Sequence, residues 1–156
     1  MRATHLPSGI SERQDIPRAS RIVVKVGSSS LTTLNGGISE EALSNLVNRL
    51  AAVSAAGTQL ILVSSGAIAA GLAPLNLGRR PRDLATQQAA ASVGQGLLMA
   101  KYTEAFAAHG VTVGQVLLTA DDLIRRQQYA NAFRALNRLL ALGVVHLVIA
   151  GPSHGT

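Results

Sequence analysis

The 156-residue sequence contains no cysteine and no tryptophan, and only 14% of its residues are charged. The absence of cysteine excludes disulfides, thiolate nucleophiles and thiolate metal sites. Aromatic side chains are almost as scarce: Tyr102, Phe106, Tyr129 and Phe133 are the only four. Because 47% of the residues are nevertheless hydrophobic, the sequence predicts a folded protein whose core is mainly aliphatic.

Long apolar runs are also missing. No run approaches the ~18 residues that a membrane-spanning helix needs. Residues 1–20 carry charges of both signs and two prolines, without the hydrophobic stretch of a secretory signal. We therefore predict a flexible leader over residues 1–20, no membrane segment and a cytoplasmic location.

Lysine is rare in a chain that is otherwise basic, with a net charge of +6. Lys25 and Lys101 are the only lysines among 14 cationic side chains. The arginines form two clusters, Arg79, Arg80 and Arg82, and Arg125, Arg126, Arg134 and Arg138. Such a surplus suits nucleic acid or anionic substrates. Because no helix-turn-helix, zinc-finger or RNP pattern accompanies it, no nucleic-acid partner is expected, and a basic interaction module remains the less favoured alternative.

The sharpest chemical signal is the stretch Ile22–Ser30. Its β-branched run Ile22–Val26 predicts a buried strand, and Gly27 and Ser28–Ser30 follow at the carboxyl end. We predict that Gly27 allows a sharp turn and a close anion, that the serines add hydroxyl donors, and that Lys25 supplies the opposite charge. The spacing matches neither the P-loop nor the dinucleotide-binding glycine pattern, so an ordinary polar turn remains the alternative.

A second predicted strand, Gln59–Val63, ends in the same way, in Ser64, Ser65 and Gly66. In an open α/β sheet, ligands collect outside the carboxyl ends of the strands. The two turns are therefore predicted to lie side by side and to face one pocket. The alternative is a plain helix start with Ser65 as N-cap.

The rest of the chain alternates between helical and strand patterns. We predict a helix from Ser39 to Gly57, a long helix over residues 83–109, a strand Val113–Leu118, a helix Tyr129–Leu142 with Phe133 on its core side, and a strand Val144–Ile149. Gly94 and Gly96 inside the long helix indicate close packing against another element. The alternation predicts an α/β fold, a three-layer sandwich with a mostly parallel sheet.

The four histidines stand at no metal-ligand spacing to one another or to carboxylates, so no metal site is predicted. His146 lies inside the last predicted strand. A role in the core, or contact with solvent, is expected for these residues.

Five segments of the sequence together resemble the amino acid kinase family. They are VVKVGSSSLT, LILVSSGAIAAG, QQAAASVGQGLL, VGQVLLTADD and YANAFRALNRLLALGVV. The resemblance runs from about Arg21 to Val145. It is closest to the members that phosphorylate the side-chain carboxylate of L-glutamate with ATP in the first step of proline synthesis.

The resemblance implies roles for particular residues. Lys25 would contact the transferring phosphoryl group as the catalytic cation, and Gly27, Ser28 and Ser29 would form the phosphate-binding turn for ATP. Ser65 and Gly66 would hold the substrate L-glutamate. Mg²⁺ would bridge the nucleotide phosphates. The resemblance is also compatible with a homo-oligomer for the full-length members of the family.

The sequence departs from the family after about Val145. Ile149–Pro152 stands where the family has an Asn-Glu-Asn-Asp motif that helps to bind glutamate, and His146 stands where it usually has proline. We therefore expect residues 21–149 to be the amino-terminal part of a truncated kinase domain and residues 150–156 a divergent tail. The sandwich would be incomplete, with Val144–Ile149 as an exposed edge strand and the chain marginally folded. A remnant that binds ligand without catalysis is the alternative.

Overall fold

Four parallel strands form the sheet in a computed structural model that describes residues 13–33, 36–116 and 126–149. They are β1 (Arg21–Val26), β2 (Gln59–Ser64), β3 (Val113–Gly114) and β4 (Val145–Ile149). The strands lie in the order β1-β2-β4-β3. This parallel sheet, with helices between its strands, confirms the predicted α/β fold.

Helices occupy most of the segments between the strands. They are α1 (Glu40–Ala55), α2 (Ala67–Leu72), α3 (Leu84–Ala107) and α4 (Arg126–Ala141), with 3-10 helices at Arg13–Arg18 and Ser28–Ser30. As predicted, Ser39 caps α1, where its side chain accepts a hydrogen bond from the backbone N–H of Ala42. Asp83 caps α3 by accepting from the backbone N–H of Thr86 at 2.8 Å, and hydrogen bonds from the side chain and the backbone of Thr86 lower the pKa of the Asp83 carboxyl. No helix within the described ranges is long and apolar enough to cross a membrane.

The two faces of the sheet are covered differently. The covered face, formed by Leu60, Leu62, Ser64, Val145 and Leu147, is buried beneath α1 and α3. The open face comprises Val23, Lys25, Ile61, Val63, His146 and Val148, and α4 packs on it against β2 and β4. Val23 is 61% exposed, so α4 leaves the middle of β1 uncovered, whereas the Arg21 guanidinium at the start of this strand donates to the side-chain oxygen of Asn137 on α4 at 2.8 Å.

β4 is not an edge strand, so the prediction for Val144–Ile149 was wrong. One side of β4 pairs with β2, from Ile61 opposite His146 to Ser64 opposite Ile149. Its other side pairs with β3, where Val113 lies opposite Val145. The crossover through α4 returns the chain into the gap between β2 and β3, where both neighbours satisfy backbone hydrogen bonds.

α2 and α3 cross with their backbones in direct contact. A Cβ built on Gly94 would lie 1.6 Å from the carbonyl oxygen of Ala67, and one on Gly71 would lie 1.9 Å from that of Ala90. The predicted close packing is therefore confirmed for Gly94. It was wrong for Gly96, because a Cβ on this residue would meet no described residue within 4 Å outside its own helix.

Phe133 lies on the side of α4 that faces β4, as predicted, where it lines a cavity together with His146, but it stays half exposed, at 50%. The carboxyl-terminal part of this helix, with Leu140 buried, packs on the sheet, whereas Phe133 lies on the part nearer the amino terminus. β3 ends at Gly114, so the predicted strand Val113–Leu118 was too long at Gln115 and Val116. Other predicted features lie outside the described residues: the leader over residues 1–12, the end of that strand at 117–118 and the tail at 150–156.

His146 has the buried position expected of a core residue, with 3% exposure. Burial lowers the pKa of its imidazole, and a hydrogen bond with the backbone of Gly114 partly opposes this shift. A base with a lowered folded-state pKa destabilises the fold in acid, because the unfolded chain then binds the proton more strongly.

We expect the free energy of unfolding to fall as the pH decreases from about 6.5 towards the folded-state pKa of His146, by at most about 1.4 kcal/mol per pH unit from this group. Urea unfolding from pH 8 to pH 5 measures the effect. His146→Leu should flatten the profile, and His109→Gln, at an exposed position, should not. An unchanged slope in His146→Leu would contradict this account.

Candidate functional site

The carboxyl ends of β1 and β2 lie next to each other and are joined by hydrogen bonds. Val26 stands opposite Ser64 in the parallel register. The backbone N–H of Ser65 donates to the carbonyl oxygen of Val26 at 3.0 Å, and the Ser65 hydroxyl donates to the same oxygen at 3.2 Å. The structure therefore brings the two serine-glycine turns together at one edge of the sheet.

The first turn is the 3-10 helix Ser28–Ser30. Two hydrogen bonds hold the turn together. The N–H of Ser30 donates to the carbonyl oxygen of Gly27 at 3.1 Å, and the hydroxyl of Thr32 donates to the carbonyl oxygen of Ser28 at 2.8 Å. The N–H groups of Ser28 and Ser29 stand at the start of the turn, before the first residue that donates within it, and neither donates to another described residue. Two consecutive free N–H groups of this kind form a concave donor site for an anion.

Gly27 has an ordinary extended backbone, with φ −73° and ψ 155°, so the predicted need for a sharp turn at this residue was wrong. Any residue adopts this conformation. A Cβ at this position would meet no neighbour within 4 Å among the described residues. The glycine therefore leaves space beside the Ser28–Ser30 turn, and that space is what a close anion would require.

The second turn touches the first. A Cβ built on Gly66 would lie 3.7 Å from Cα of Ser28. Gly66 is the N-cap of α2 and no side chain caps this helix, so the alternative of Ser65 as N-cap was wrong. The proton of the Ser65 hydroxyl is donated to Val26, and the oxygen keeps its lone pairs as acceptors.

Lys25 is exposed on the open face, one residue before Val26. Its ammonium group has no hydrogen-bond or ion-pair partner in residues 13–33, 36–116 and 126–149. Lys101 differs, since it pairs with Glu40 at 2.5 Å and this contact raises its pKa. Of the two lysines, Lys25 is therefore the one available to an anionic ligand.

Beneath the second turn lies a polar contact that the sequence reading missed. The hydroxyl of Tyr102 on α3 donates to Oγ of Ser64 at 3.2 Å, and both residues are fully buried. Burial raises the pKa of the Tyr102 hydroxyl, and the bond to Ser64 partly opposes that shift. The available signal was a tyrosine in an aromatic-poor core, because a buried tyrosine hydroxyl needs a partner.

Tyr102→Phe should lower the free energy of unfolding by about 1–2 kcal/mol, because Ser64 then keeps a buried hydroxyl without a partner. Ser64→Ala should lower it by a similar amount, because the buried hydroxyl of Tyr102 then has no acceptor. The double variant should lose less than the sum of the two, since it removes both members of the pair. Urea unfolding of the four proteins measures the coupling, and additive losses would contradict it.

The residues at this edge suit phosphate better than they suit a protein-held metal ion. A free ammonium group, two free N–H groups and serine hydroxyls are all donors that an anion accepts. Within the described ranges no three histidine, aspartate or glutamate side chains converge on one point. A magnesium ion at this edge would therefore depend mainly on the phosphates of a nucleotide for its ligands.

Comparison with known proteins identifies the chain's relatives. The sequence profile of the amino acid kinase family matches residues 20–155 of this chain. A protein of Thermobifida fusca named glutamate 5-kinase is 62% identical over 136 residues, which cover 87% of this chain and 35% of the relative. Proteins with the same name from Salinispora arenicola and Bifidobacterium longum subsp. infantis are 60% and 53% identical, over 87% and 91% of this chain and 37% and 38% of theirs. The chain thus spans just over a third of the length of these relatives.

A solved structure shares the fold at much lower sequence similarity. The isopentenyl phosphate kinase of T. acidophilum, in its product complex, superposes with a TM-score of 0.53 at 15% identity. The match covers 85% of this chain and 58% of that chain. At this identity the similarity concerns the fold alone.

Proposed function

Because the chain belongs to the amino acid kinase family, we propose that it provides the phosphate- and glutamate-binding part of a cytoplasmic kinase that phosphorylates the side-chain carboxylate of L-glutamate. ATP would be the phosphoryl donor, with Mg²⁺ bound to its phosphates. The observation that carries the proposal is the contact between the two serine-glycine turns, with Lys25 free beside them. The shared name of the relatives at about 60% identity supports the choice of substrate.

Phosphoryl transfer requires positioning and charge neutralisation rather than covalent help from the protein. In this proposal the Lys25 ammonium neutralises charge on the oxygens of the transferring phosphoryl group. The N–H groups of Ser28 and Ser29 bind the same group, and the space beside Gly27 admits it close to the backbone. Mg²⁺, when bound, supplies further neutralisation through the nucleotide phosphates.

The second turn is assigned to L-glutamate. Because the Ser65 hydroxyl already donates to Val26, its oxygen is left to accept, and we assign it to the α-ammonium group of the substrate. Gly66 holds this position against Ser28, so the substrate bound at one turn lies next to the phosphate bound at the other. Close placement of the two reactants is a main source of rate in such a reaction.

A chimera tests the proposal. The segment of the Thermobifida fusca relative that matches this chain is replaced by the corresponding residues of this chain, and glutamate-dependent ADP release is measured. We expect activity within about tenfold of the parent enzyme, with none on D-glutamate or L-aspartate. A folded chimera without activity would overturn the proposal. Residues 1–156 alone are assayed in parallel, where glutamate binding without turnover would favour the non-catalytic alternative.

Ser65→Ala in the chimera should raise the KM for glutamate about tenfold, because a hydrogen bond to a charged group is lost. The KM for ATP should change less than threefold. Ser54→Ala provides the matched control, because this serine of α1 lies beside the start of β2 at Gln59, at the opposite end of the strand from Ser65. A larger effect on ATP than on glutamate would reverse the assignment of the two turns.

A further inference from the structure

The carbonyl oxygen of Ser28 accepts three hydrogen bonds from the residues that follow it. The backbone N–H groups of Leu31 and Thr32 donate to this oxygen, each at 3.2 Å, and the hydroxyl of Thr32 donates to it at 2.8 Å. A carbonyl oxygen offers two lone pairs, so three donors occupy it fully. Thr32 supplies two of the three bonds, and its hydroxyl makes the shortest one. The direction of the Ser28 carbonyl therefore depends mainly on Thr32.

The same peptide unit carries one of the two N–H groups that we assign to phosphate. A trans peptide is planar, and its C=O and N–H point in opposite directions. Because the described residues contain no cis peptide bond, the N–H of Ser29 points away from the donors that hold the Ser28 carbonyl. Hydrogen bonds to a carbonyl oxygen also polarise its peptide unit, which makes the N–H a stronger donor. The Thr32 hydroxyl therefore acts on the Ser29 N–H without touching it.

Thr32 is itself held in place by a short antiparallel pairing. It forms a bridge with Ile38, and the N–H of Thr33 donates to the carbonyl oxygen of Gly37 at 3.2 Å. The N–H of Gly37 donates in turn to the carbonyl oxygen of Ala69 on α2 at 3.3 Å. α2 begins directly after the turn that we assign to glutamate. The backbone that carries Thr32 is therefore fixed against the helix that follows the second turn.

We propose that Thr32 is a positioning residue for phosphoryl transfer. Its hydroxyl orients and polarises the peptide unit between Ser28 and Ser29, so that the Ser29 N–H binds a phosphate oxygen. This role rests on the proposed function, because it requires a phosphate group at the Ser28–Ser30 turn. The alternative is a hydroxyl that only closes the turn locally, as threonine often does with a carbonyl four residues earlier. The two accounts differ in whether the affinity for an anion depends on the hydroxyl.

Inorganic pyrophosphate tests this role on the full 156-residue chain without requiring kinase activity. The backbone ¹⁵N and ¹H shifts of Ser28 and Ser29 are recorded at pH 7.5 during the titration, and both should change saturably. Thr32→Val keeps the shape of the side chain but removes the donor, so it should weaken pyrophosphate about five- to tenfold. Thr32→Ser keeps the hydroxyl and should bind within about twofold of the parent. Absence of saturable shifts in the parent would overturn the proposal.

Thr33→Val is the matched control at the next position. It removes a hydroxyl that donates to the carbonyl oxygen of Gly36 at 2.6 Å, and not to the peptide unit between Ser28 and Ser29. This variant should bind pyrophosphate as the parent does. If Thr32→Val folds and binds within about twofold of the parent, or if Thr33→Val weakens binding equally, the role of Thr32 is wrong. Thr32→Ala carries the same expectation as Thr32→Val and keeps the test decisive if the valine variant does not fold.

Kinetics of the chimera separate this role from the kinase function itself. Thr32→Val should lower kcat/KM for ATP about five- to tenfold, because a phosphate donor is misdirected, and should leave the KM for glutamate within about twofold. An inactive parent chimera would contradict the kinase function, and the pyrophosphate titration would then decide the role of Thr32 alone. An active parent whose Thr32→Val variant keeps its kcat/KM for ATP would contradict only the role of Thr32.

Discussion

Lys25→Ala should lower the kcat of the chimera by about 10²–10³-fold, the usual loss when one preorganised electrostatic stabiliser is removed from an active site. The ammonium group is expected to act on charge that develops during transfer rather than on bound glutamate. The KM for glutamate should therefore stay within about threefold of the parent. Initial rates of glutamate-dependent ADP release, measured across both substrate concentrations, separate the two parameters.

The matched control is Lys101→Ala, which removes the only other lysine of the chain. Lys101 is partly exposed and paired with Glu40, and exposed ion pairs contribute little to stability. The kcat of Lys101→Ala should therefore equal that of the parent chimera. Lys25→Arg keeps the charge with a different donor geometry and should recover part of the lost rate. If Lys25→Ala retains kcat within threefold, the catalytic role of Lys25 is wrong.

Gly94→Ala should largely unfold the chain, with a loss of about 3 kcal/mol or more in the free energy of unfolding. The new methyl group would stand 1.6 Å from the carbonyl oxygen of Ala67 and 2.8 Å from the backbone nitrogen of Gly71. These neighbours belong to the backbone of α2 and cannot rotate away as a side chain would. α2 would have to move off α3, and with it the Ser65–Gly66 turn at its start.

Gly96→Ala is the control for the same substitution in the same helix. Outside the helix itself, no residue that the structure describes lies within 4 Å of a Cβ at this position. Alanine is favoured over glycine in a helix, so this variant should gain up to about 1 kcal/mol. Urea midpoints with circular dichroism measure both proteins. Equal effects of the two substitutions would contradict the crossing geometry.

The strands and helices could be predicted from the sequence because their signals are local. The β-branched run before Gly27 marks β1, and Ser39 marks the start of α1. The order of the strands is not local information. The pattern of residues 144–149 reads as an apolar strand wherever that strand lies, so its place between β2 and β3 emerged only from the structure. The difference in packing between Gly94 and Gly96 is not local information either, because it depends on where α2 crosses α3.

The candidate site was predictable to the same extent. The residue types along the sequence predicted that Lys25, the Ser28–Ser30 turn and Ser65 lie at strand ends. In the structure, the parallel register of β1 and β2 brings these two strand ends together. The bond from Ser65 to Val26 and that from Tyr102 to Ser64 join residues far apart in the sequence. No spacing rule connects such pairs. The partners of a hydroxyl depend on which elements pack together, and that is known only after the fold is known.

The strand order also has a consequence for the sequence of events during synthesis. β3 leaves the ribosome before β4, yet β4 is the strand it pairs with. Until residues 145–149 emerge, β1 and β2 can pair with each other, while the inner edge of β2 and the whole of β3 have no partner among the described strands. β4, the last of the four described strands to emerge, therefore joins the two parts of this sheet, through contacts between residues as distant as Ile61 and His146. Such long-range pairing is slow, and the waiting strand edges are open to association with other nascent chains.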